Sequence, residues 1–177
     1  MLKALQNHLR DLAEDKTGKL KKEIKARWGD EVTDDQVHAI KEFIFLMPPC
    51  LKVLSQYWSD KKTPAKVKNL AGLIITYVYH PHDLISDEEH GLFGYIDDAY
   101  LVVASFLRIQ DMYIRDWANK SELERDLIER TKDLINAPRL VIPDDIAKID
   151  NSITRCLDGK IEDVGALLAS RGKKEPR

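Results

Sequence analysis

One stretch of the chain concentrates side chains that could bind a metal ion. No Lys or Arg occurs between Lys68 and Arg108. This window instead carries three histidines and six carboxylates, and seven of these residues are candidate ligands: His80, His82, Asp83, Asp87, His90, Asp97 and Asp98. Mixed imidazole and carboxylate ligands suit Zn²⁺, Mn²⁺ or Fe²⁺ better than Ca²⁺, and the carboxylates alone suit a hard cation such as Mg²⁺. One hypothesis is therefore a divalent-metal site with hydrolytic activity, for which the sequence assigns no catalytic residue.

The same residues also have a structural interpretation, which we favour. Asp97 and Asp98 fall in the first turn of a predicted helix, where carboxylates interact well with the helix macrodipole and with free backbone N–H groups. Ser86 and Glu89 have the spacing of a capping box. Histidines in an acidic loop are commonly just solvated. The spacing of the candidate ligands matches no established metal-binding signature.

The rest of the chain predicts the helices that must position this window. Only 8 Gly and 7 Pro interrupt the 177 residues, and apolar residues recur at helical spacing throughout. A chain of this length can bury one substantial core. We therefore expect an all-α fold of about seven or eight helices in a single domain, residues 1–170, around a central apolar helical hairpin. A basic flexible tail is expected at 171–177.

Several boundaries are predicted from capping residues and prolines. Thr33 and Gln36 form a capping-box pattern. Pro48-Pro49 is expected to end the helix before it, and Thr63-Pro64 to start the next buried helix with a hydroxyl cap. The remaining predictions are a short helix with Leu51, Leu54 and Trp58 on its apolar face, helices at 63–80 and 95–118, an extended link between Pro138 and Pro143, and a last helix containing Ile161, Val164, Leu167 and Leu168.

Two segments carry a resemblance to a known family. Residues 60–64 read D-K-K-T-P, and residues 79–98 read Y-H-P-H-D-L-I-S-D-E-E-H-G-L-F-G-Y-I-D-D. This order resembles the YkvA-like domain family, a domain of unknown function, in which D-x-x-T-P and an apolar helix precede S-P-x-D-L-I-P-D, a loop, G-x-x-D-D and a second apolar helix. The resemblance covers about residues 60–107. The matching positions are Thr63, Pro64, Pro81, Asp83, Leu84, Ile85, Asp87, Gly94, Asp97 and Asp98.

The departures from the family pattern concern the histidines. His80 stands where the family has Ser, Ser86 replaces the second Pro, and His90 lies near the usual third Pro. The loop is also one residue longer. The family resemblance therefore gives no support for the three histidines as metal ligands. It implies an α-helical hairpin and, in some members, membrane association, but no established reaction.

The charge distribution indicates a protein partner. The 28 basic and 30 acidic residues give a net charge of −2, so we do not expect nucleic-acid binding. Residues 1–28 contain eight Lys or Arg against four Asp or Glu, and a second basic cluster comprises Lys61, Lys62, Lys66 and Lys68. No interleaved aromatic residues accompany these clusters. Separate basic and acidic regions favour electrostatic steering toward another protein.

Membrane association is a further alternative. The nearly apolar stretches 70–79 and 99–107 are too short to span a bilayer as single helices. A hairpin that dipped into a bilayer would bring its acidic turn against an anionic surface, so peripheral binding is possible but not favoured. Cys50 and Cys156 are far apart and form no metal motif, and no signal peptide is apparent, so we expect a cytoplasmic protein.

Motifs for common enzyme chemistry are absent from the sequence. It contains no phosphate-binding GxxxxGK[ST], no GxSxG and no HExxH. The leading hypothesis is therefore a non-enzymatic helical protein that binds another protein in an accessory or regulatory role, such as an antitoxin or a defence-associated protein. The alternatives are a metal-binding protein or metal-dependent hydrolase that uses residues 80–98, and a peripheral membrane protein. The oligomeric state is not predicted.

Overall fold

Helices account for most of the described backbone. The structure is a computed structural model that describes residues 2–14, 16–79, 85–113, 120 and 122–160. Its α-helices are α1 (Leu2–Ala13), α2 (Lys19–Trp28), α3 (Asp34–Phe45), α4 (Met47–Ser59), α5 (Ala65–Val78), α6 (Asp87–His90), α7 (Ile96–Tyr113), α8 (Glu122–Leu134) and α9 (Pro143–Leu157). Two 3₁₀ segments occupy Gly91–Tyr95 and Ala137–Leu140. No strand occurs in these described ranges, which confirms the all-α prediction.

The core is built around α7. This helix packs against α3, α4, α5, α8 and α9, and α5 also packs against α4 and α9. The aromatic side chains of Phe43, Tyr100 and Phe106 are almost fully buried where these helices meet. Burying one large apolar side chain contributes about 1.5–3 kcal/mol, so this shared interior is the main source of stability.

The N-terminus of α3 confirms the predicted capping box. The backbone N–H of Gln36 donates to the Thr33 hydroxyl at 3.3 Å, and the backbone N–H of Thr33 donates to the Gln36 side chain at 2.9 Å. These two N–H groups have no acceptor within the helix, and the two side chains supply one acceptor each.

One proline-based boundary agrees with the prediction and one differs. The helix α3 ends at Phe45, just before Pro48-Pro49 as expected, and the two prolines lie in the first turn of α4, where a proline lacks only an N–H that would be unsatisfied anyway. Pro64 occupies the N-cap of α5 with a ψ of 142°, so the helix begins at Ala65. Thr63 therefore precedes the cap position, and its predicted capping role is wrong.

The C-terminal part departs from the prediction at one link. Residues Ala137–Leu140 form a 3₁₀ turn rather than an extended link, and Pro143 starts α9. Proline fixes φ near −65°, which suits helical turns as well as extended chain. The end of the predicted helix at 95–118, from residue 114 onward, the last helix at 161–168 and the tail at 171–177 lie outside the described residues.

Candidate functional site

The segment that joins α5 to α7 is described from residue 85, and we call residues 85–98 the acidic segment. It consists of the single turn α6, the 3₁₀ segment and the start of α7. The Ser86 hydroxyl accepts from the backbone N–H of Glu89 at 3.3 Å, which is one of the two hydrogen bonds of the predicted capping box. Gly91 has a φ of +60°, a conformation that glycine adopts without strain, and it turns the chain into the 3₁₀ segment.

Asp87 is held by a hydrogen bond within the acidic segment. The Tyr95 hydroxyl donates to Asp87 Oδ2 at 2.6 Å. Gly94 permits this fold, because a Cβ at position 94 would lie 2.7 Å from the backbone nitrogen of Asp87 and 2.7 Å from the carbonyl oxygen of Ser86. The aspartate and the glycine of the family-like pattern thus serve one compact turn.

Asp97 and Asp98 lie inside the protein. Their residues are 1% and 3% exposed, in the first turn of α7. Asp97 Oδ2 accepts from the backbone N–H of Ile85 at 3.2 Å, which ties the start of the acidic segment to its end. The position in the first helical turn agrees with the structural interpretation of these carboxylates.

His90 connects the acidic segment to α2. Its Nδ1 lies 3.0 Å from Glu23 Oε2, and the same oxygen accepts from Arg27 at 2.6 Å. The Arg27 guanidinium in turn lies 4.3 Å from the centre of the Phe93 ring. Burial favours a higher pKa for Glu23, but the hydrogen bonds and charges of Arg27 and His90 outweigh it and lower the pKa. This cluster binds α2 to the core.

The metal-site hypothesis remains a prediction. His80, Asp83 and His82 lie outside the described residues. Within the described ranges, no group of three or more His, Cys, Asp or Glu side chains is arranged to hold a metal ion. The four described candidates, Asp87, His90, Asp97 and Asp98, have the separate environments given above.

Neither cysteine is prepared for nucleophilic chemistry. Cys50 and Cys156 are both buried free thiols. Burial raises the pKa of each thiol above its usual value. Since the thiolate is the reactive form, both side chains behave as small apolar groups at neutral pH.

A groove beside the acidic segment is lined by charges of both signs. It encloses about 660 Å³ between α1, α2, α3 and α6. Its charged lining residues are Lys19, Lys21, Lys41, Asp87 and Glu88. Lys21 also forms an ion pair of 2.6 Å with Asp34. Because both signs are present, this groove favours no single class of charged ligand.

A second groove contains an exposed tryptophan, and we call it the tryptophan groove. It encloses about 630 Å³ between α4, α5 and the C-terminal end of α9. Its lining includes Trp58, Lys66, Lys68, Gly72, Leu73 and Cys156. Trp58 lies in a helix, α4, together with Leu51 and Leu54, as predicted, but unlike these two leucines it is 55% exposed. The indole lies over Gly72, where a Cβ would be 3.2 Å from Trp58 Nε1.

Two lysines line the tryptophan groove, Lys66 and Lys68, and two more precede them in the sequence. None of Lys61, Lys62, Lys66 and Lys68 forms an ion pair with a described residue. Elsewhere, Lys148 pairs with Asp145 at 2.8 Å and Lys160 with Asp158 at 3.1 Å. No carboxylate lines the groove. The sequence contained a signal for this site, since Trp58 precedes the lysine cluster by only three residues.

Among the described residues, no helix combines the length and apolar character needed to cross a bilayer.

Comparisons with protein-family models, with curated proteins and with solved structures found no match. The resemblance at residues 60–107 therefore stays a prediction.

Proposed function

We propose that the protein is a non-enzymatic helical protein that binds another protein through the tryptophan groove. The partner would contribute an acidic segment that also carries an apolar side chain. The observation that carries this proposal is the 55% exposed Trp58 beside lysines that have no ionic partner among the described residues. The role would be accessory or regulatory, as in an antitoxin or a defence-associated protein. Two buried free thiols are compatible with a reducing cytoplasm.

Trp58 supplies the apolar part of the proposed contact. Its indole is already positioned over Gly72, so little conformational freedom would be lost when a partner covers the exposed face. Tryptophan is enriched among the interface residues that carry most of the binding energy, because its large surface is removed from water in one step. Leu73 in the same groove extends the apolar surface.

The lysines supply charge selectivity. The ammonium groups of Lys66 and Lys68, which have no carboxylate partner among the described residues, attract an acidic segment and repel a basic one. Such exposed charges act mainly on the association rate and are screened by salt. The groove is concave, which suits a protein segment better than a flat bilayer surface.

The structural roles of the acidic segment also favour the tryptophan groove as the recognition site. Glu88 and Glu89 are exposed, but the other three described carboxylates serve the fold: Asp87 and Asp97 accept hydrogen bonds within it, and Asp98 lies buried in the first turn of α7. Groups used in this way hold the structure together. We therefore assign the recognition role to the tryptophan groove rather than to the acidic segment.

The test is affinity capture from extracts of the native host, followed by direct titration of the captured protein. We compare the parent chain with Trp58→Ala and with the pair Lys66→Glu and Lys68→Glu. The matched control is Lys3→Glu with Lys22→Glu, which changes charge equally on α1 and α2. Removal of a central aromatic or reversal of the lysine charge should weaken binding by about tenfold or more.

Three results would contradict the proposal. The first is a captured protein that binds Trp58→Ala and the parent equally well. The second is a ligand that disappears on nuclease treatment. The third is binding of the purified chain to phosphatidylserine vesicles with the same dependence on Trp58 and the lysines, because a membrane surface would then be the partner.

A further inference from the structure

The groove between α4 and α8 has an apolar interior and an exposed leucine at its edge. It encloses about 320 Å³, and Pro49, Val53 and Leu127 supply its apolar walls. Leu123, which also lines the groove, is 73% exposed. A leucine exposed to this degree leaves apolar surface in water that a second apolar surface could cover. We call this site the α4–α8 groove.

The α4–α8 groove is lined by charges of both signs: Lys52 and Arg130 are basic, and Glu124 and Asp126 are acidic. Lys52 lies on α4 and Asp126 on α8, and both side chains are exposed. Neither of them forms an ion pair with a described residue. Arg130 is different, because it lies 3.6 Å from Glu42 of α3.

This surface is complementary to itself. A two-fold axis brings the same patch of two copies together, so each feature of one copy must find its complement in the same patch of the other. Here the patch contains both an apolar projection, Leu123, and an apolar groove of suitable size. It also contains both a cation, Lys52, and an anion, Asp126.

We propose that two copies of this chain associate through their α4–α8 grooves. Leu123 of each copy enters the groove of the other, and Lys52 of each copy faces Asp126 of the other. The occupant of the groove is thus a second copy of the chain. This inference is separate from the proposed function, since it concerns another surface.

The two surfaces are compatible on one molecule. Lys52 and Val53 come three and four residues after Pro49, and Gln56 comes four and three residues after them, which places these residues on one face of α4. Trp58 comes two residues after Gln56, about 200° further around the helix. A dimer formed through the α4–α8 groove would leave the tryptophan groove of each copy open. Two open grooves would allow bivalent binding of a partner.

The test measures the monomer–dimer equilibrium of the full chain by sedimentation velocity over a dilution series. The parent should show a reversible dimer. Leu123→Asp should raise its dissociation constant by about tenfold or more, because a carboxylate would enter an apolar groove. The matched control is Leu140→Asp, at another leucine that is 53% exposed, and it should leave the equilibrium unchanged.

A charge exchange tests the two-fold arrangement itself. In a dimer of the Lys52→Glu variant, each new carboxylate faces Asp126 of the other copy. In a dimer of the Asp126→Lys variant, each new ammonium group faces Lys52 of the other copy, so both contacts are repulsive in either case. Each variant should dimerise more weakly than the parent, whereas an equimolar mixture should form a heterodimer in which both contacts are attractive. Circular dichroism and thermal unfolding establish that every variant is folded. A parent that is monomeric at every soluble concentration, a Leu123→Asp dimer as strong as the parent's, or a mixture no stronger than its components would each overturn the proposal.

Discussion

The acidic segment and the lysines near Trp58 are both clusters of like charge, yet the fold uses them differently. In the acidic segment, Asp87 accepts from Tyr95, Asp97 accepts from a backbone N–H, and Asp98 is buried. The lysines at 61–68 form no ion pair with any described residue. A charge cluster in a sequence can therefore be built into the fold, or it can lack ion pairs with the described residues.

Helix electrostatics explains part of this contrast. Asp97 and Asp98 occupy the first turn of α7, where negative charge is stabilised by the helix dipole. Lys66 and Lys68 occupy the first turn of α5, which contains no acidic residue. Positive charge is unfavourable there, so the fold gains nothing from these two lysines. Residues that work against local stability are often retained for function.

The largest expected effect comes from the glycines of the two regions. Gly94→Ala should destabilise the protein by about 3 kcal/mol, because the new Cβ would meet backbone atoms of Ser86 and Asp87 that cannot move independently. The control is Gly72→Ala, whose Cβ would meet only the Trp58 side chain. Since Gly72 is inside α5, alanine should raise stability there by up to about 1 kcal/mol. Urea unfolding of both variants measures the difference.

The same pair of variants separates stability from recognition. Gly72→Ala should displace the indole of Trp58 and change its fluorescence, while Gly94→Ala should not reach that side chain. Equal losses of stability in the two variants would remove the distinction between a tightly packed acidic segment and an adaptable tryptophan groove.

A medium effect is expected at Glu23, which links α2 to the acidic segment. The folded pKa of Glu23 lies below 4.5, its ordinary value, so its contribution is fully present above pH 4.5 and is lost as the pH falls through the folded pKa. Glu23→Gln should therefore cost about 1 kcal/mol at pH 7 and progressively less toward pH 3. Unfolding free energies of both proteins across this range provide the measurement. A difference that stays constant with pH would contradict the assigned ion pair.

The smallest effect on stability is expected at the lysines. Lys66→Gln with Lys68→Gln should change the free energy of unfolding by less than about 0.5 kcal/mol, because no described partner is lost. Partner capture by this variant should nevertheless fall. A loss of stability comparable to that of Glu23→Gln would show that these lysines, like the carboxylates, serve the fold.

Local sequence patterns predicted the helices well because helices are built from local contacts. The capping box at Thr33 and Gln36 needs only residues three apart, and it is present with both hydrogen bonds. Proline was harder to interpret, since it is compatible both with the end of one helix and with the first turn of the next. Pro48 and Pro49 occupy the latter position.

The site depends on tertiary contacts that periodicity does not contain. Leu51 and Leu54 are buried as predicted, but Trp58, which continues their spacing, is exposed because α4 reaches the surface near its end. The bond between Tyr95 and Asp87 and the bond between His90 and Glu23 depend on how the chain turns at α6. The sequence therefore indicated which segment was unusual, while the structure shows how its described carboxylates are used.

The bond between His90 and Glu23 has a consequence for the order of folding. It joins residues 67 positions apart, whereas the bond between Tyr95 and Asp87 spans only 8. Closing the longer loop costs about 2 kcal/mol more in chain entropy. The turn at α6 can therefore form early and locally, and α2 docks onto it only after the intervening helices have brought the two ends together. The N-terminal helices would accordingly be among the last parts of the molecule to acquire protection from hydrogen exchange.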